Sequence, residues 1–193
     1  MAGKSTRDEI VAAADRLFYE TGFEATSFAD IAAAVNISRG NFYYHFKTKD
    51  DILDAVIAVR LASTRRMLEA WEEEGDDPAA RIRSFIGILI TNRAKIMRHG
   101  CPVGTLCNEL AKLDHGAKDD ASRIFTMFRD WLARQFVALG RPAEADALAM
   151  HLLAASQGVA TLASAFRDAD FIRREVEGMA AWVEAQRPPA PAA

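Results

Sequence analysis

The sequence predicts an all-α protein of about nine helices, in which a small N-terminal group of three helices precedes a larger helical body. Apolar residues recur at steps of three and four along most of the 193 residues, which is the period of an amphipathic helix. Apolar and polar residues rarely alternate as they do in strands. Glycine and proline stand mainly where helices would end. These observations together indicate a helical protein without a sheet.

The first helix is predicted from about Arg7 to Glu20. Its apolar residues share one face and are Ile10, Ala14, Leu17 and Phe18. Thr21-Gly22 ends the helix, because glycine accepts the left-handed conformation that is common after helix C-termini.

Two shorter helices follow in a helix-turn-helix pattern. Ser27 is a suitable N-cap for the second helix, and Asp30 stands three residues on, where it completes a capping box. Asn36 accepts the positive φ that a tight turn demands, and Ser38 caps a third helix over about Arg39–Phe46. Two short helices joined by a turn of three or four residues define this motif.

The remaining helices form the body. We expect them at Thr48–Glu74, Pro78–His99, from near Pro102 to Asp114–Gly116, at Asp119–Leu139, from about Pro142, and from about Asp168. The expected domains are a helix-turn-helix domain at 1–47, a body at 48–187 and a disordered tail at 188–193, since "RPPAPAA" cannot hold a helix.

Composition and charge limit the classes of partner. Half of the residues are hydrophobic and 26% are charged, and the formal net charge is −3, which is ordinary for a globular protein. No apolar run approaches the roughly 18 residues of a membrane span, so we expect a soluble, cytoplasmic protein without a membrane partner. Residues 31–49 hold three basic side chains and no acidic one, so this window can meet a polyanion.

The third helix carries the aromatic cluster "FYYHF". Phe42 and Phe46 lie four residues apart and share a face, which we expect to pack on Ile31 and Val35. The opposite face then presents polar and aromatic side chains to solvent or to a partner, namely Arg39, Gly40, Asn41, Tyr43, Tyr44 and His45.

This outward face has the chemistry of a DNA reader. Arg39 and Asn41 can pair with guanine and adenine edges in the major groove, Gly40 allows close approach, and Tyr44 can contact a thymine methyl group. Side chains around it are suited to phosphate oxygens: Thr26, Ser27, Tyr43, His45, Lys47 and Lys49.

The segment "TSFADIAAAVNISRGNFYYHFKTKDDIL" resembles the DNA-binding signature of TetR-type bacterial transcriptional regulators, and the resemblance covers about residues 7–56. Two positions depart from the pattern. Asn36 replaces the preferred glycine, and Asn41 stands where a smaller or hydroxyl residue is common. The resemblance implies a regulator, most simply a repressor, that binds a pseudo-palindromic DNA operator as a homodimer.

The last two predicted helices carry heptad-like apolar seams. The resemblance implies that they pair with a second subunit in a four-helix bundle, although packing inside the monomer remains an alternative. The predicted dimer-interface residues are Leu148, Leu152, Ala155, Val159, Leu162, Phe166, Ile172, Val176, Met179 and Val183.

The resemblance also implies an effector pocket among the fifth to eighth helices. Apolar walls with a few polar groups suit a small hydrophobic or amphipathic molecule, although core packing is the alternative for each residue. The predicted lining is Phe85, Leu89, Asn92, Ile96, Cys101, Met127, Trp131, Gln157 and Thr161.

Two cysteines occupy the segment "HGCPVGTLCNEL" at 99–110. Cys101 stands just before the helix at Pro102, where a helix N-terminus can activate a thiol toward electrophiles or oxidants. Inert buried thiols are the alternative, and a metal site with His99 or His115 lacks recognised ligand spacing. We expect no cofactor and no metal.

Two other functional classes fit the sequence less well. A thiol-dependent helical enzyme using Cys101 or Cys107 is the alternative to the regulator, but the sequence holds no recognised nucleophile, Walker or zinc motif. A helical scaffold without DNA affinity leaves the surface from Arg39 to Lys49 unexplained. We therefore predict a ligand-responsive regulator rather than an enzyme.

Overall fold

A computed structural model describes residues 5–188. Over this range all regular structure is helical, which confirms the predicted fold class. The helices are α1 (Thr6–Glu20), α2 (Phe28–Ala34), α3 (Arg39–His45), α4 (Lys49–Glu74), α5 (Pro78–Thr91), α6 (Arg93–His99), α7 (Pro102–Lys112), α8 (Lys118–Ala138), α9 (Ala145–Phe166) and α10 (Ala169–Glu184). The tail predicted for 188–193 lies outside the described residues from 189 onward.

The single helix predicted from Pro78 to His99 is two helices, α5 and α6, separated at Asn92. The Asn92 side chain donates to the Ile88 carbonyl oxygen over 3.2 Å, the same oxygen that the Asn92 backbone N–H uses. A side-chain amide that competes for the helical acceptor favours such an interruption. Asn92 accordingly leaves the helical region, with φ −102° and ψ 11°.

Contacts divide the chain into two compact units. The first unit comprises the chain up to Ser63 together with Pro102–Arg123, and the second comprises Thr64–Cys101 and the chain from Ile124 onward. The division differs from the predicted boundary at residue 47, because α7 packs with α1 although about 80 residues separate them. The first unit therefore includes an element that sequence proximity does not indicate.

The core of the first unit joins the three N-terminal helices to the beginning of α4 and to α7. Its buried side chains include Ile10, Phe18, Ile31, Phe42, Phe46, Ile52, Leu53 and Leu110. The half-buried Arg60 guanidinium supports this arrangement, since it donates to the Asp15 carboxylate over 2.6 Å and to the Pro102 carbonyl over 2.7 Å.

In the second unit, half of the residues predicted for the dimer interface are buried within a single chain. Leu152, Val159, Ile172, Met179 and Val183 are each at most 7% exposed and belong to the core of a single chain. A heptad-like repeat shows only that one face of a helix is apolar, and these residues of α9 and α10 pack inside the chain. Leu148, Ala155 and Val176 are half-buried, whereas Leu162 and Phe166 remain exposed at 44% and 73%.

α9 is the one described helix that is long and apolar enough, by length and composition, to cross a membrane. This is weak evidence for a span, because a core helix of a soluble protein has the same composition. Ala149, Leu152, Val159 and Ala163 of α9 are indeed buried in the second unit.

Candidate DNA-binding surface

α2 begins with a complete capping box. The Ser27 hydroxyl accepts a hydrogen bond from the Asp30 N–H, and the Asp30 carboxylate accepts from the Ser27 N–H over 2.8 Å. The hydrogen bonds from the Ser27 hydroxyl and then from its N–H hold the pKa of Asp30 below the usual value of 3.8. The prediction of this cap is confirmed.

The turn between α2 and α3 has the predicted conformation. Asn36 takes φ 53°, in the left-handed region that asparagine tolerates better than most residues. The Ser38 hydroxyl then accepts from the Asn41 N–H over 3.3 Å and begins α3. Local signals in the sequence thus position the two helices of the motif.

α3 buries one face of the aromatic cluster, as predicted. Phe42 and Phe46 are 1% and 3% exposed and belong to the same core cluster as Ile31 and Val35. The Phe42 ring also packs on the ring of Phe28, with centroids 5.2 Å apart. The burial of these two rings fixes which side of α3 faces outward.

The outward side of α3 exposes the predicted reading residues. Arg39, Gly40 and Asn41 are exposed, and Tyr44 is 80% exposed. Tyr43 is 44% exposed, and its ring meets the edge of Phe28 at 5.6 Å. Between the start of α2 and α3 lies an open cleft of about 230 Å³, lined by Ser27, Phe28, Ala29, Ala32, Arg39, Phe42 and Tyr43.

Two further residues of the cluster flank this surface. His45 is half-buried, and its ring meets that of Tyr44 at 5.2 Å. Lys47 is exposed, and its ammonium group donates to the Tyr43 carbonyl oxygen. Both side chains lie beside the outward tyrosines.

Three predicted phosphate contacts have other roles in the structure. The buried Thr26 hydroxyl donates to the Gly22 carbonyl oxygen over 2.6 Å. The Ser27 hydroxyl donates to the Asp30 carboxylate over 2.6 Å. The Lys49 ammonium donates to the carbonyl oxygens of Phe23, Glu24 and Thr26, over 3.0 to 3.4 Å. Because these polar hydrogens already form hydrogen bonds within the chain, Thr26, Ser27 and Lys49 are not available as donors to phosphate.

The predicted effector-pocket residues all lie in the second unit, at different depths. Phe85, Leu89, Ile96 and Trp131 are buried, whereas Asn92, Cys101, Met127 and Gln157 are half-buried. Thr161 is exposed and therefore does not line the interior of this unit. Ring contacts join α5 to α8, through Phe85 and Phe128 at 5.5 Å, and α4 to α8, through Trp71 and Trp131 at 5.6 Å.

Two buried polar atoms in this unit were not predicted. The Trp131 Nε1–H and the Gln135 Oε1 have no hydrogen-bond partner among the described residues, and the residues are 1% and 4% exposed. They stand four positions apart on α8, on the same face. The Gln135 Nε2 lies 3.5 Å from Glu72 Oε1, which orients its carbonyl oxygen away from that carboxylate. In the sequence, the only sign of this site is Gln135, a polar residue among the apolar residues that share one face of α8.

Two segments of the chain match known families. Residues 10–56 match the model described as bacterial regulatory proteins of the tetR family. Residues 78–177, which are over half of the chain, match the C-terminal domain of LmrA/YxaF-like transcriptional regulators. The matches cover α2, α3 and most of α5 to α10.

Individual proteins show the same similarity. The chain is 28% identical over 138 residues to an HTH-type transcriptional regulator from the lacX 3′ region of Lactococcus lactis subsp. lactis, covering 70% of each. It is 24% identical over 165 residues to the HTH-type transcriptional repressor DhaR of Mycobacterium sp. strain GP1, covering 82% of each.

A solved structure of a TetR transcriptional regulator from Legionella pneumophila superposes with a TM-score of 0.83 at 24% identity, covering 97% of this chain and 100% of that one. The reduced form of Escherichia coli NemR superposes with a TM-score of 0.79 at 18% identity, covering 98% and 100%. These two likenesses concern the fold.

Proposed function

Because the chain belongs to the TetR family of bacterial transcriptional regulators, we propose that it is a repressor that binds a pseudo-palindromic operator as a homodimer and is released by a small effector. The family consists of DNA-binding regulators and not of enzymes, so the thiol-dependent enzyme is set aside. The exposed face of α3, which is backed by the buried Phe42 and Phe46, is the observation that carries the proposal.

Base reading is assigned to the N-terminal part of α3. Arg39 and Asn41 are exposed on its first turns, where a recognition helix contacts base edges. Arginine pairs with guanine O6 and N7, and asparagine with adenine N6 and N7. Gly40 between them leaves room for the groove wall, since no atom lies within 4 Å of a Cβ built there. The exposed Tyr44 is assigned to a thymine methyl group.

Phosphate contacts are assigned to a smaller set than the sequence indicated. Tyr43 and Lys47 are exposed and His45 is half-buried beside the reading residues, and the Lys47 ammonium has two hydrogens besides the one that it donates to the Tyr43 carbonyl oxygen. The Tyr43 ring is braced by Phe28, and Tyr43 lines the cleft. Such contacts fix the register of the protein on DNA without reading sequence.

A homodimer is supported by the outer face of α9. Met150, Leu162 and Phe166 are large apolar side chains that are 44% to 73% exposed, and no atom lies within 4 Å of a Cβ built at Gly158. A second copy of the same helix can cover this face and approach closely at the glycine. Two recognition helices are then available for half-sites that lie about 34–36 Å or one helical turn apart.

The effector site is assigned to the second unit around α8. Trp131 supplies a buried hydrogen-bond donor and Gln135 a buried acceptor, and the Trp131 ring packs on that of Trp71. A buried polar group without a partner costs about 1–3 kcal/mol, so a ligand that pairs with both groups recovers free energy. A neutral, planar molecule with neighbouring acceptor and donor groups suits this pair. The half-buried Cys101, directly before α7, makes an electrophile the second candidate effector.

Selection of DNA by the purified protein tests the proposal. The wild-type chain is incubated with a random duplex library, and bound sequences are recovered and aligned. We expect an inverted repeat with two half-sites, bound by two chains, with an affinity that falls steeply as salt rises. Recovery of no shared sequence, or binding by a single chain to one half-site, contradicts the proposal.

A further inference from the structure

The turn between α1 and α2 is held by a carboxylate from a distant helix. The Glu109 side chain on α7 accepts hydrogen bonds from the backbone N–H groups of Phe23 and Glu24, each over 2.9 Å. These residues are 85 and 86 positions away in the sequence. One carboxylate thus satisfies two consecutive backbone donors, with one oxygen for each. Charge-assisted bonds of this kind are stronger than those between neutral groups.

The turn leaves space for this carboxylate because residue 22 is glycine. Gly22 has φ 106°, which side-chain-bearing residues rarely adopt. A Cβ at this position would also lie 3.1 Å from Glu109 Oε1 and 3.4 Å from Oε2. Both the backbone conformation and the close approach therefore depend on the absence of a side chain at this position.

A positive charge holds the opposite side of the same turn. Lys49 at the start of α4 donates to the three carbonyl oxygens of Phe23, Glu24 and Thr26. Its ammonium group also lies 4.4 Å from the centre of the Phe23 ring. The anion of Glu109 meets backbone donors and the cation of Lys49 meets backbone acceptors, so each charge matches the dipoles that it faces.

The turn is connected directly to the proposed DNA-reading surface. Thr26 is followed by Ser27, the N-cap of α2, and by Phe28, its first residue. The Phe28 ring packs on Phe42 and Tyr43 of α3, at 5.2 and 5.6 Å. A displacement of the turn therefore moves the residue that braces Tyr43 and backs the recognition helix.

We propose that Glu109 is a positioning residue for operator binding. We also propose that α7 belongs functionally to the DNA-binding head, the group formed by α1, α2 and α3. The inference rests on the proposed function. Glu109 touches no DNA in this assignment and acts through the turn, α2 and Phe28. α7 begins at Pro102, immediately after Cys101 of the second unit. Because Glu109 lies on α7, a displacement of this helix withdraws both hydrogen bonds at once and loosens the head.

The test compares Glu109→Gln with Glu20→Gln. Both substitutions remove one negative charge from the first unit, but Glu20 lies on the surface, where its side chain pairs with Arg16 over 3.2 Å. Loss of a negative charge alone favours binding to DNA. Glu109→Gln keeps one acceptor and turns an NH₂ group toward the second backbone donor, so one of the two hydrogen bonds is lost.

Affinity is measured for the duplex that the wild-type chain selects from a random library and for a scrambled duplex. We expect Glu109→Gln to weaken binding to the selected duplex about tenfold or more, while Glu20→Gln binds as tightly as wild type or more tightly. Binding to the scrambled duplex should stay unchanged or tighten equally in both. Amide hydrogen exchange at Phe23 and Glu24 should quicken only in the Glu109 variant.

Glu109→Asp provides a second variant in case the amide impairs folding. It keeps the charge and shortens the side chain by one methylene, so we expect the same loss of affinity and the same faster exchange. Equal binding by the Glu109 and Glu20 variants, with unchanged exchange at Phe23 and Glu24, overturns the inference. A wild-type chain that selects no duplex refutes the proposed function itself, and the two failures are therefore distinguishable.

Discussion

The two units differ in how their polar groups are used. In the first unit, backbone donors and acceptors of the α1–α2 turn are bound by Glu109, Lys49 and Thr26. In the second unit, the Trp131 Nε1–H and the Gln135 Oε1 are buried without partners. Within residues 5–188 these are the two buried side-chain polar atoms that lack a hydrogen bond, and both lie on α8.

Under the proposed function, the difference corresponds to two tasks. A unit that reads DNA must hold α3 in one orientation before it meets the groove, and satisfied polar contacts hold that orientation without a ligand. A unit that responds to an effector needs groups whose free energy improves when the effector arrives. In this proposal the unpaired atoms of α8 are such groups, whereas the α1–α2 turn has its hydrogen bonds already formed.

The largest expected effect comes from the outer face of α9. Leu162→Glu places a charge on the proposed dimer face, where two copies would meet, so we expect monomers and an operator affinity reduced by about 30-fold or more. The fold of each chain should persist, since Leu162 is 44% exposed. Light scattering measures the mass, and binding to the selected duplex measures the affinity.

Val137→Glu is the matched control for this change. Val137 lies on α8 and is 50% exposed, but it is not part of the α9 face. It introduces the same charge at a similar exposure and should leave the dimer and its affinity intact. A Leu162 variant that remains dimeric would remove the α9 face from the proposed interface.

The next effect separates base reading from phosphate contact among the residues of α3. Arg39→Ala should reduce discrimination at one base pair of each half-site by about 1–3 kcal/mol, because the guanidinium reads a base edge. Tyr43→Phe should instead weaken all sequences equally, since its hydroxyl meets phosphate. Affinities for a set of single-base variants of the selected duplex separate the two patterns. The same pattern for both variants would show that these roles are wrongly assigned.

A smaller effect distinguishes the two lysines beside α3. Lys47→Met removes a proposed phosphate contact, so the slope of log affinity against log salt should fall by about 0.9 per half-site. Lys49→Met removes three hydrogen bonds inside the protein, so the slope should stay the same while the melting temperature falls. A reduced slope for Lys49→Met would restore this residue to the phosphate contacts.

The smallest expected effect lies in the second unit. Gln135→Met keeps a similar volume and removes a buried oxygen without a partner, so the free energy of unfolding should be unchanged or rise by about 1 kcal/mol. Amide-bearing aromatic compounds that raise the melting temperature of the wild-type chain should lose this effect in the variant, because ligand stabilisation requires binding. Marked destabilisation, or stabilisation retained by every such compound, would contradict the assignment of Gln135 to the site.

The head could be predicted from the sequence because its signals are local. Ser27, Asp30, Asn36 and Ser38 each determine a cap or a turn within three residues of themselves. Once these features place α3, the four-residue spacing of two phenylalanines decides its inner face. The resemblance to the TetR signature covered the same stretch and identified the same surface.

The remaining features depend on contacts over long sequence separations. No local pattern connects Glu109 with Phe23, and the three carbonyl oxygens that bind Lys49 became acceptors only when the turn formed. The seams of α9 and α10 were visible as repeats, but a repeat does not say whether its face turns to the same chain or to another. Leu152 and Phe166 belong to one predicted seam and have 0% and 73% exposure.

The distribution of aromatic residues gives each unit its own optical reporter. All three tryptophans, Trp71, Trp131 and Trp182, belong to the second unit, and all three tyrosines, Tyr19, Tyr43 and Tyr44, belong to the first. Emission excited at the red edge of the absorption band therefore comes from the second unit alone. Because Trp71 and Trp131 lie 5.6 Å apart, a molecule that separates their rings changes the intensity, and no attached dye is needed to follow its arrival.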